Sequence, residues 1–203
     1  MVKINNSQLN DFTEFNLDKC IDAYQNSLLE NFRVRDYFYA SEIGKSLLEI
    51  YETFKNQQPP RFDSRVKRIL ENGNYVHMRF QKLFAEMKIL IAAEIQCNTD
   101  LIHGRCDALI TDGHKNYVVD IKSCSSSVFK MLNEAKEQDI LQLLFYMHTL
   151  HIYNGILLYE NKDTQQIKSF NIAFDEQKIQ KRIEELQKIK DAVQNDVPLF
   201  IKY

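Results

Sequence analysis

Residues 104–123, GRCDALITDGHKNYVVDIKS, contain the pair of strands from which the fold is inferred. Gly104 to Thr111 and Asn116 to Ser123 are short β-branched or alternating runs, and Asp112-Gly113 between them is typical of a hairpin turn. The run Ala92 to Asn98 just upstream has the same character. Together these runs predict a three-stranded meander in the middle of the chain.

Helical patterns precede this meander in the sequence. In the N-terminal third, apolar residues recur at multiples of three or four positions, as on one buried helix face. They are Leu9, Phe12, Tyr24, Leu28 and Phe32. A helix capped by Ser41 is predicted through Phe54, before Pro59–Pro60. A longer one is predicted over 62–90, interrupted at Asn72-Gly73-Asn74.

Further helices and strands follow the meander. Helical patterns cover 126–151 and 175–195, and strands are predicted at 155–159 and 166–174. The order of elements predicts an α/β fold with a small mixed central sheet of about five strands. Helices flank this sheet, and the N-terminal region is helical.

The composition is that of one folded chain of ordinary domain size. Of its 203 residues, 44% are hydrophobic and 27% are charged, so the chain can bury a core and is not a disordered tail. Its 26 Lys and Arg residues stand against 28 Asp and Glu residues, which gives a net charge of -2. This balance excludes a histone-like polycation, so any contact with phosphates has to come from a local basic patch.

The cysteines and the apolar runs predict a cytoplasmic protein. The cysteines, spread from Cys20 to Cys124, contain no C-x-x-C pair, which favours a reducing compartment. The N-terminal residues lack the apolar core of a signal peptide. The most apolar run, Leu141 to Leu150, is far shorter than the roughly 20 residues that cross a bilayer. We therefore expect no membrane contact and a cytoplasmic location, in the host cytoplasm if the protein is viral.

Polar side chains on the hairpin are the first candidates for chemistry. Because strand side chains alternate between faces, Asp120 and Lys122 share one face, and the turn brings Asp107 near Asp120. Close carboxylates repel each other unless a cation lies between them, and hard ions such as Mg²⁺ and Mn²⁺ prefer oxygen ligands. From the hairpin alone, a solvated Asp–Lys pair without function is the simpler explanation.

Helical residues on either side of the hairpin add to this pattern. Gln142 and Tyr146 are four residues apart, and so on one helix face, within an apolar stretch where polar side chains need a reason. His77 lies four residues after Gly73, on a helix that precedes the first strand of the meander. A lone helical histidine is more often a hydrogen-bonded structural residue than a metal ligand.

The order of these motifs resembles the PD-(D/E)XK nuclease superfamily, and within it the RecB-like exonuclease branch that includes CRISPR-associated nucleases. The matching elements are Gly73-x-x-x-His77, Gly104-Arg105-Cys106-Asp107, Asp120-Ile121-Lys122-Ser123 and Gln142-x-x-x-Tyr146. They occur in the family's order on a helix, two strands and a helix. Each motif alone is weak, but all of them in order form a specific pattern, which implies a restriction-endonuclease-like core.

The resemblance implies a role for each matching residue. The metal ligands would be His77, Asp107, Asp120 and the backbone carbonyl of Ile121, and the ion would be Mg²⁺ or Mn²⁺. Lys122 would be the catalytic lysine that positions the attacking water. Gln142 and Tyr146 would brace the site and touch the substrate strand. The implied reaction is hydrolysis of a DNA phosphodiester by a metal-activated water.

One departure from the RecB-like branch concerns its iron–sulfur cluster. Several members hold the cluster with one cysteine before the nuclease core and three after it. Here Ser46 stands where the first of these cysteines is expected, and no cysteine follows Cys124. Because such clusters need thiolate ligands, we expect no iron–sulfur cluster.

Substrate contacts are predicted from a basic stretch and from the residue after the lysine. Arg61, Arg65 and Arg68 lie close together in the sequence and could track a phosphate backbone, although a solvated helix face is the alternative. Ser123 could hydrogen-bond a phosphate. Glu94 could add a carboxylate to the metal environment, with a structural salt bridge as the alternative.

The sequence thus predicts one nuclease domain over residues 1–203: a helical N-terminal region over 1–60, a PD-(D/E)XK core over 61–174, and a C-terminal helix and tail over 175–203. Its function would be metal-dependent hydrolysis of DNA, acting as an exonuclease on single strands or ends in repair, recombination, or viral or CRISPR-type processing. The alternative is a catalytically silent nuclease-fold module that binds nucleic acid or protein. The oligomeric state is open, a homo-oligomer included.

Overall fold

The computed structural model describes residues 15–28, 33–58 and 63–196. The described residues divide into two compact units. The first takes residues from Met1–Val34 and Gln58–Tyr75, and the second takes residues from Arg35–Gln57 and Val76–Tyr203. The division falls within one long helix, and the candidate site lies wholly in the second unit.

Six helices and six strands form in the described residues. The helices are α1 (Leu17–Ser27), α2 (Leu47–Lys55), α3 (Ser64–Glu86), α4 (Ser126–Met131), α5 (Glu137–Leu150) and α6 (Glu176–Gln194). The strands are β1 (Phe38–Tyr39), β2 (Leu90–Asn98), β3 (Ile102–Thr111), β4 (Asn116–Cys124), β5 (Asn154–Asn161) and β6 (Ile167–Ala173). Among the described residues, no helix is long and apolar enough to cross a membrane.

The strands form one mixed sheet, as predicted. Antiparallel pairing of β2 with β3 and of β3 with β4 confirms the meander. On its far side β4 pairs with β5 in parallel, and β5 pairs with β6 in antiparallel fashion. The two-residue strand β1, which the sequence analysis did not predict, lies parallel to the start of β3.

Both faces of the sheet are covered by helices, which confirms the predicted layers. On one face, α5 with its buried Leu143 and Leu144 belongs to the larger core cluster, and α6 contributes Ile179 and Leu186. On the other face, the second-unit segment of α3 packs Val76 and Phe80 against the sheet. The helix predicted over 175–195 is therefore confirmed, and it packs on the core.

Three predictions in the helical regions are wrong. The cap of α2 is Ser46, whose hydroxyl accepts the Glu49 backbone N–H, and not Ser41. Helix α3 continues through Asn72-Gly73-Asn74, because one glycine inside a helix costs only about 1 kcal/mol. Tyr24 of α1 and Leu28, which follows the helix, are exposed rather than on a buried face, and no described side chain of α1 is buried.

Other positions named in the sequence analysis lie outside the described residues. They are Leu9, Phe12, Phe32, Pro59, Pro60, Arg61 and Phe62.

Candidate metal centre and active site

The site lies where β3 exchanges one neighbouring strand for another. Along one edge, β3 pairs with β1 at Ile102 and His103, and with β4 only from Ala108 onward. In the described structure, residues 104–107 pair with neither β1 nor β4, while residues 104–106 stay paired with β2 on the other edge. The predicted motif Gly104-Arg105-Cys106-Asp107 is therefore the segment that opens this edge of the sheet.

Asp107 ends the pairing of β3 with β4. The register pairs Ala108 with Val119, so that Asp107 comes opposite Asp120, as the hairpin predicted. In place of a backbone carbonyl, the Asp107 carboxylate accepts the Ile121 backbone N–H at 2.6 Å through Oδ2. Because Ile121 is also buried, its backbone N–H cannot bond water, and Asp107 supplies the acceptor that this N–H needs.

His77 reaches the same carboxylate from α3. Its Nδ1 lies 3.2 Å from Oδ1 of Asp107. Burial lowers the pKa of His77, but the hydrogen bond and the negative charge of Asp107 outweigh it, and the net shift of the pKa is upward. The structure thus brings together the first two predicted metal ligands, His77 and Asp107.

Glu94 joins His77 and Asp107 in a cluster with the ligand types of a metal site. The candidate ligand atoms of these three side chains lie within 4.8 Å of one another. Gln81 bridges the two carboxylate residues, because its Nε2 donates to Glu94 Oε1 at 2.5 Å and to the Asp107 carbonyl at 2.9 Å. Glu94 also makes the salt bridge considered in the sequence analysis, with Arg105 Nε at 2.6 Å.

The backbone of Glu94 is unusual for a strand residue. Its φ of 56° lies in the left-handed region, which costs a residue with a side chain on the order of 1 kcal/mol or more. Residues in such conformations cluster at functional sites, and here the conformation accompanies a carboxylate directed at His77 and Asp107.

Asp120 is held by Lys122 on the neighbouring position of the same face. Its Oδ2 lies 2.8 Å from Lys122 Nζ, but within the described structure no hydrogen bond of normal geometry reaches that oxygen. Burial raises the pKa of Asp120 to about 7; Lys122 opposes this shift and the charge of Asp107 adds to it. Asp120 is thus a buried carboxylate next to the Lys122 ammonium group, and among the described residues it is not part of the cluster of candidate metal ligands, which is His77, Glu94 and Asp107.

Lys122 is fixed by a second partner from α5. Its Nζ donates to Gln142 Oε1 at 2.8 Å, and Gln142 Nε2 donates to Tyr146 Oη at 2.9 Å. Burial lowers the pKa of Lys122, but the nearby carboxylates, Asp120 above all, outweigh it, and the net shift is upward. The ammonium group is therefore charged and oriented, and the buried Gln142 and Tyr146 have the partners that their burial requires.

The remaining predicted site residues lie elsewhere. Ser123 is exposed on β4, just after the lysine. Arg65 and Arg68 belong to the first unit, where Arg68 pairs with Asp22 at 2.8 Å. Arg61 is outside the described residues. The metal role of the Ile121 carbonyl stays a prediction, because the described contacts of Ile121 in this site involve its N–H.

The sequence analysis missed Gln81 and gave Glu94 only a secondary place. Gln81 lies four residues after His77, so that the helical spacing alone places both on one face of α3. That spacing could have identified Gln81. The position of Glu94 beside the other ligands depends on its backbone conformation, for which the sequence offers no comparable pattern.

Solved exonucleases have a similar fold. The alkaline exonuclease from Laribacter hongkongensis gives a TM-score of 0.58 at 11% identity, covering 88% of this chain and 93% of that one. That exonuclease has also been solved in complex with dAMP. A phage-related exonuclease from Haemophilus somnus 129PT gives 0.52 at 14% identity, with 87% and 94% covered. The protein SSO0001 gives 0.53 at 21% identity, with 84% and 82% covered.

The sequence matches no protein-family model and no curated protein. The structural likenesses establish that the chain has the restriction-endonuclease-like α/β fold, as predicted. At these identities the likeness concerns the fold, and a function has to be argued from the site.

Proposed function

We propose that this chain is a divalent-metal-dependent deoxyribonuclease that hydrolyses phosphodiester bonds, an exonuclease of the RecB-like kind acting on single strands or ends. The observation that carries the proposal is the contact of His77 with Asp107 where β3 separates from β4, opposite Asp120 and its partner Lys122 on β4. The fold shared with the alkaline exonuclease supports it.

The donor set fits a hard divalent ion such as Mg²⁺ or Mn²⁺. Asp107 and Glu94 offer carboxylate oxygens beside His77, and the Asp120 carboxylate, opposite Asp107 on β4, would add another. His77 and the Ile121 carbonyl would complete the set. When bound, the ion would polarise the phosphoryl group and lower the pKa of a water.

The chain's own groups would orient the substrate and offset its charge. Lys122, held between Asp120 and Gln142, presents an ammonium group that can position a water and stabilise negative charge growing on a phosphoryl oxygen. Tyr146 fixes Gln142 and thereby the lysine head. In this proposal Ser123, with Arg61, Arg65 and Arg68, contacts the phosphates of the strand.

A silent binding module is the second candidate function. The observation in its favour is that the charged side chains at the site already have partners inside the protein. Lys122 pairs with Asp120, His77 pairs with Asp107, and Arg105 pairs with Glu94. Charges paired in this way are also compatible with a purely structural role, so an assay has to distinguish the two functions.

A cutting assay separates them. Purified protein is incubated with end-labelled single- and double-stranded DNA in Mn²⁺, in Mg²⁺ and in EDTA. We expect cutting in either metal and none in EDTA, with loss of cutting in Asp120→Ala and Lys122→Ala. The matched control is Lys82→Ala, which removes an exposed lysine of α3 that pairs only loosely with Glu86. Linear single strands should be degraded and circular ones spared if the enzyme requires ends.

The outcomes exclude one another. Cutting by the wild type that persists in both site variants would refute the site assignment. No cutting in any divalent metal, with DNA binding retained, would favour the silent module. The single-domain assignment over 1–203 and the cytoplasmic location are included in the proposal and remain predictions.

A further inference from the structure

A cleft with aromatic walls lies next to the candidate active site. Its volume is about 400 Å³, within the range of small-ligand pockets. Four rings line it, from Tyr37, Tyr39, His103 and Tyr146. The half-exposed Arg105 also lines it and links it to the metal-ligand cluster through its salt bridge with Glu94.

The rings at the mouth of the cleft are held in fixed orientations. Tyr37 stacks on His103 with centroids 3.6 Å apart and planes 19° apart. Tyr39 meets Tyr37 edge-on at 5.5 Å. The guanidinium of Arg35 lies 4.3 Å from the centre of the Tyr39 ring and is itself anchored by Glu42 at 2.7 Å. An aromatic surface that is already ordered loses little conformational entropy when a flat ligand stacks on it.

The inner wall of the cleft is continuous with the catalytic groups. Tyr146 lies against Gly104, where an added Cβ would come within 2.7 Å of the tyrosine ring. Its hydroxyl accepts a hydrogen bond from Gln142, and Gln142 accepts one from Lys122. A ligand in the cleft can therefore contact Tyr146, which holds Gln142 and through it the proposed catalytic lysine.

We propose that this cleft binds an unpaired nucleobase of single-stranded DNA, which stacks on the exposed Tyr39 and meets the Tyr37–His103 pair with its edge. The proposal rests on the nuclease function proposed above and names the substrate form that the site selects. Every base has a π-face, so such stacking tolerates any sequence. The amides of Gln96 and Asn98, which also line the cleft, can hydrogen-bond the edge of the base.

The same geometry discriminates against duplex DNA. A base inside a duplex already stacks on its neighbours, and reaching an aromatic surface requires it to be unstacked and unpaired at a cost. A base in a single strand or at a frayed end can enter the cleft at much lower cost. The cleft would thereby direct a single strand toward Lys122 and its partners.

The test compares binding with and without bases. A 5′-fluorescein-labelled short oligodeoxythymidylate and the same backbone with abasic (tetrahydrofuran) residues are titrated by fluorescence anisotropy, in EDTA and in Ca²⁺. We expect the wild type to bind the thymidine strand at least about tenfold more tightly than the abasic strand. Tyr39→Ala and His103→Ala should lose that difference, whereas Tyr39→Trp should keep it.

The matched control is Tyr153→Ala, which removes an exposed tyrosine that packs on Phe174 and is not among the residues lining the cleft. It should behave as the wild type. Three results would each overturn the proposal. The first is equal binding of the two strands by the wild type. The others concern Tyr39→Ala, namely loss of binding to both strands or an undiminished difference between them. Thermal unfolding of each variant confirms that it is folded before its binding is compared.

The two proposals fail in different ways. Base-dependent binding without cutting in any metal would contradict the nuclease function and leave the cleft assignment standing. Cutting that needs Asp120, together with binding that ignores the bases, would contradict the cleft assignment and leave the nuclease function standing.

Discussion

Asp107 bonds the backbone of β4 and the side chain of His77 with the two oxygens of one carboxylate. Oδ2 accepts the Ile121 N–H at 2.6 Å, and Oδ1 lies 3.2 Å from His77 Nδ1. The first bond replaces the missing strand pairing, and the second orients the imidazole toward the cluster. The residue that opens the sheet is thus also the residue that assembles the site.

Two replacements of Asp107 test its hydrogen bond to the Ile121 backbone N–H. Asp107→Ala leaves the buried Ile121 amide without an acceptor and should lower the free energy of unfolding by about 1–3 kcal/mol. Asp107→Asn keeps a side-chain oxygen for that amide, so that its loss should be clearly smaller. Both variants remove the charge repulsion with Asp120, so the difference between them reports what the asparagine side chain keeps, which includes the acceptor for the Ile121 N–H. Urea unfolding in EDTA measures it, and equal losses would contradict the role given to Oδ2.

The apposition of the two aspartates could be predicted because a hairpin transmits its register along the chain. Asp112-Gly113 fixes the turn, Gly113 has a φ of +90°, and the pairing Thr111 with Asn116 follows. From there Asp107 and Asp120 come opposite each other by counting. The helix that carries Gln142 and Tyr146 could also be predicted, because so long an apolar run fits a buried helix better than a strand.

Other features could not be predicted from local patterns. Strand β1 has only two residues, too few for any periodicity. Strict alternation places Cys106 and Ala108 on one face, yet they pack in different core clusters, because β3 changes neighbours between them. The cap of α2 was predictable: Ser46 with Glu49 three residues later is a capping-box pattern that Ser41 lacks.

A buried carboxylate on β5 depends on an arginine of α3. Arg79 pairs with Glu160, whose side chain is 3% exposed, while the arginine itself is 46% exposed. Arg79→Ala leaves that carboxylate buried and unpaired, and should lower the free energy of unfolding by about 1–3 kcal/mol, since the partner's exposure moderates the loss. Glu160→Gln in the Arg79→Ala background should recover some of it. Thermal or urea unfolding gives both values.

The control for this pair is Lys82→Ala, because Lys82 and Glu86 are both exposed and 3.7 Å apart. We expect a change within about 0.5 kcal/mol. If Arg79→Ala is as mild as Lys82→Ala, solvent reaches Glu160 and the pairing contributes little.

Stability at low pH should depend on the hairpin turn. The backbone N–H groups of Lys115 and His114, with the Tyr117 hydroxyl, lower the pKa of Asp112 from 3.8 to about 2. A carboxyl whose pKa is lower in the folded state stabilises the fold above its unfolded pKa, and this contribution is lost as pH falls toward the folded pKa. Between about pH 4 and pH 2, Asp112→Asn should therefore show a shallower fall in stability than the wild type.

Tyr117→Phe provides the graded comparison for this turn, because it removes one donor to Asp112 and leaves the backbone N–H groups in place. Its pH slope should lie between those of the wild type and Asp112→Asn, when urea unfolding is followed across that pH range. Identical slopes in the three proteins would show that the turn does not hold the ionised carboxylate.

Two glycines of the predicted motifs should respond to alanine with opposite signs. At Gly104 an added Cβ would meet the Ala40 Cβ at 2.6 Å and the Tyr146 ring at 2.7 Å. Overpacking of this kind costs about 1–3 kcal/mol, so Gly104→Ala should destabilise the fold, and it should weaken binding of the thymidine strand by displacing Tyr146. At Gly73, inside α3, no atom lies within 4 Å of the added Cβ.

Gly73→Ala should therefore stabilise the protein by about 0.5–1 kcal/mol, the amount that a glycine costs within a helix. Urea unfolding of the two variants side by side measures both signs with the same chemical change. A neutral Gly104→Ala would mean that β3 and α5 can move apart at this point. The close contact of Tyr146 with the strand would then not be what shapes the cleft.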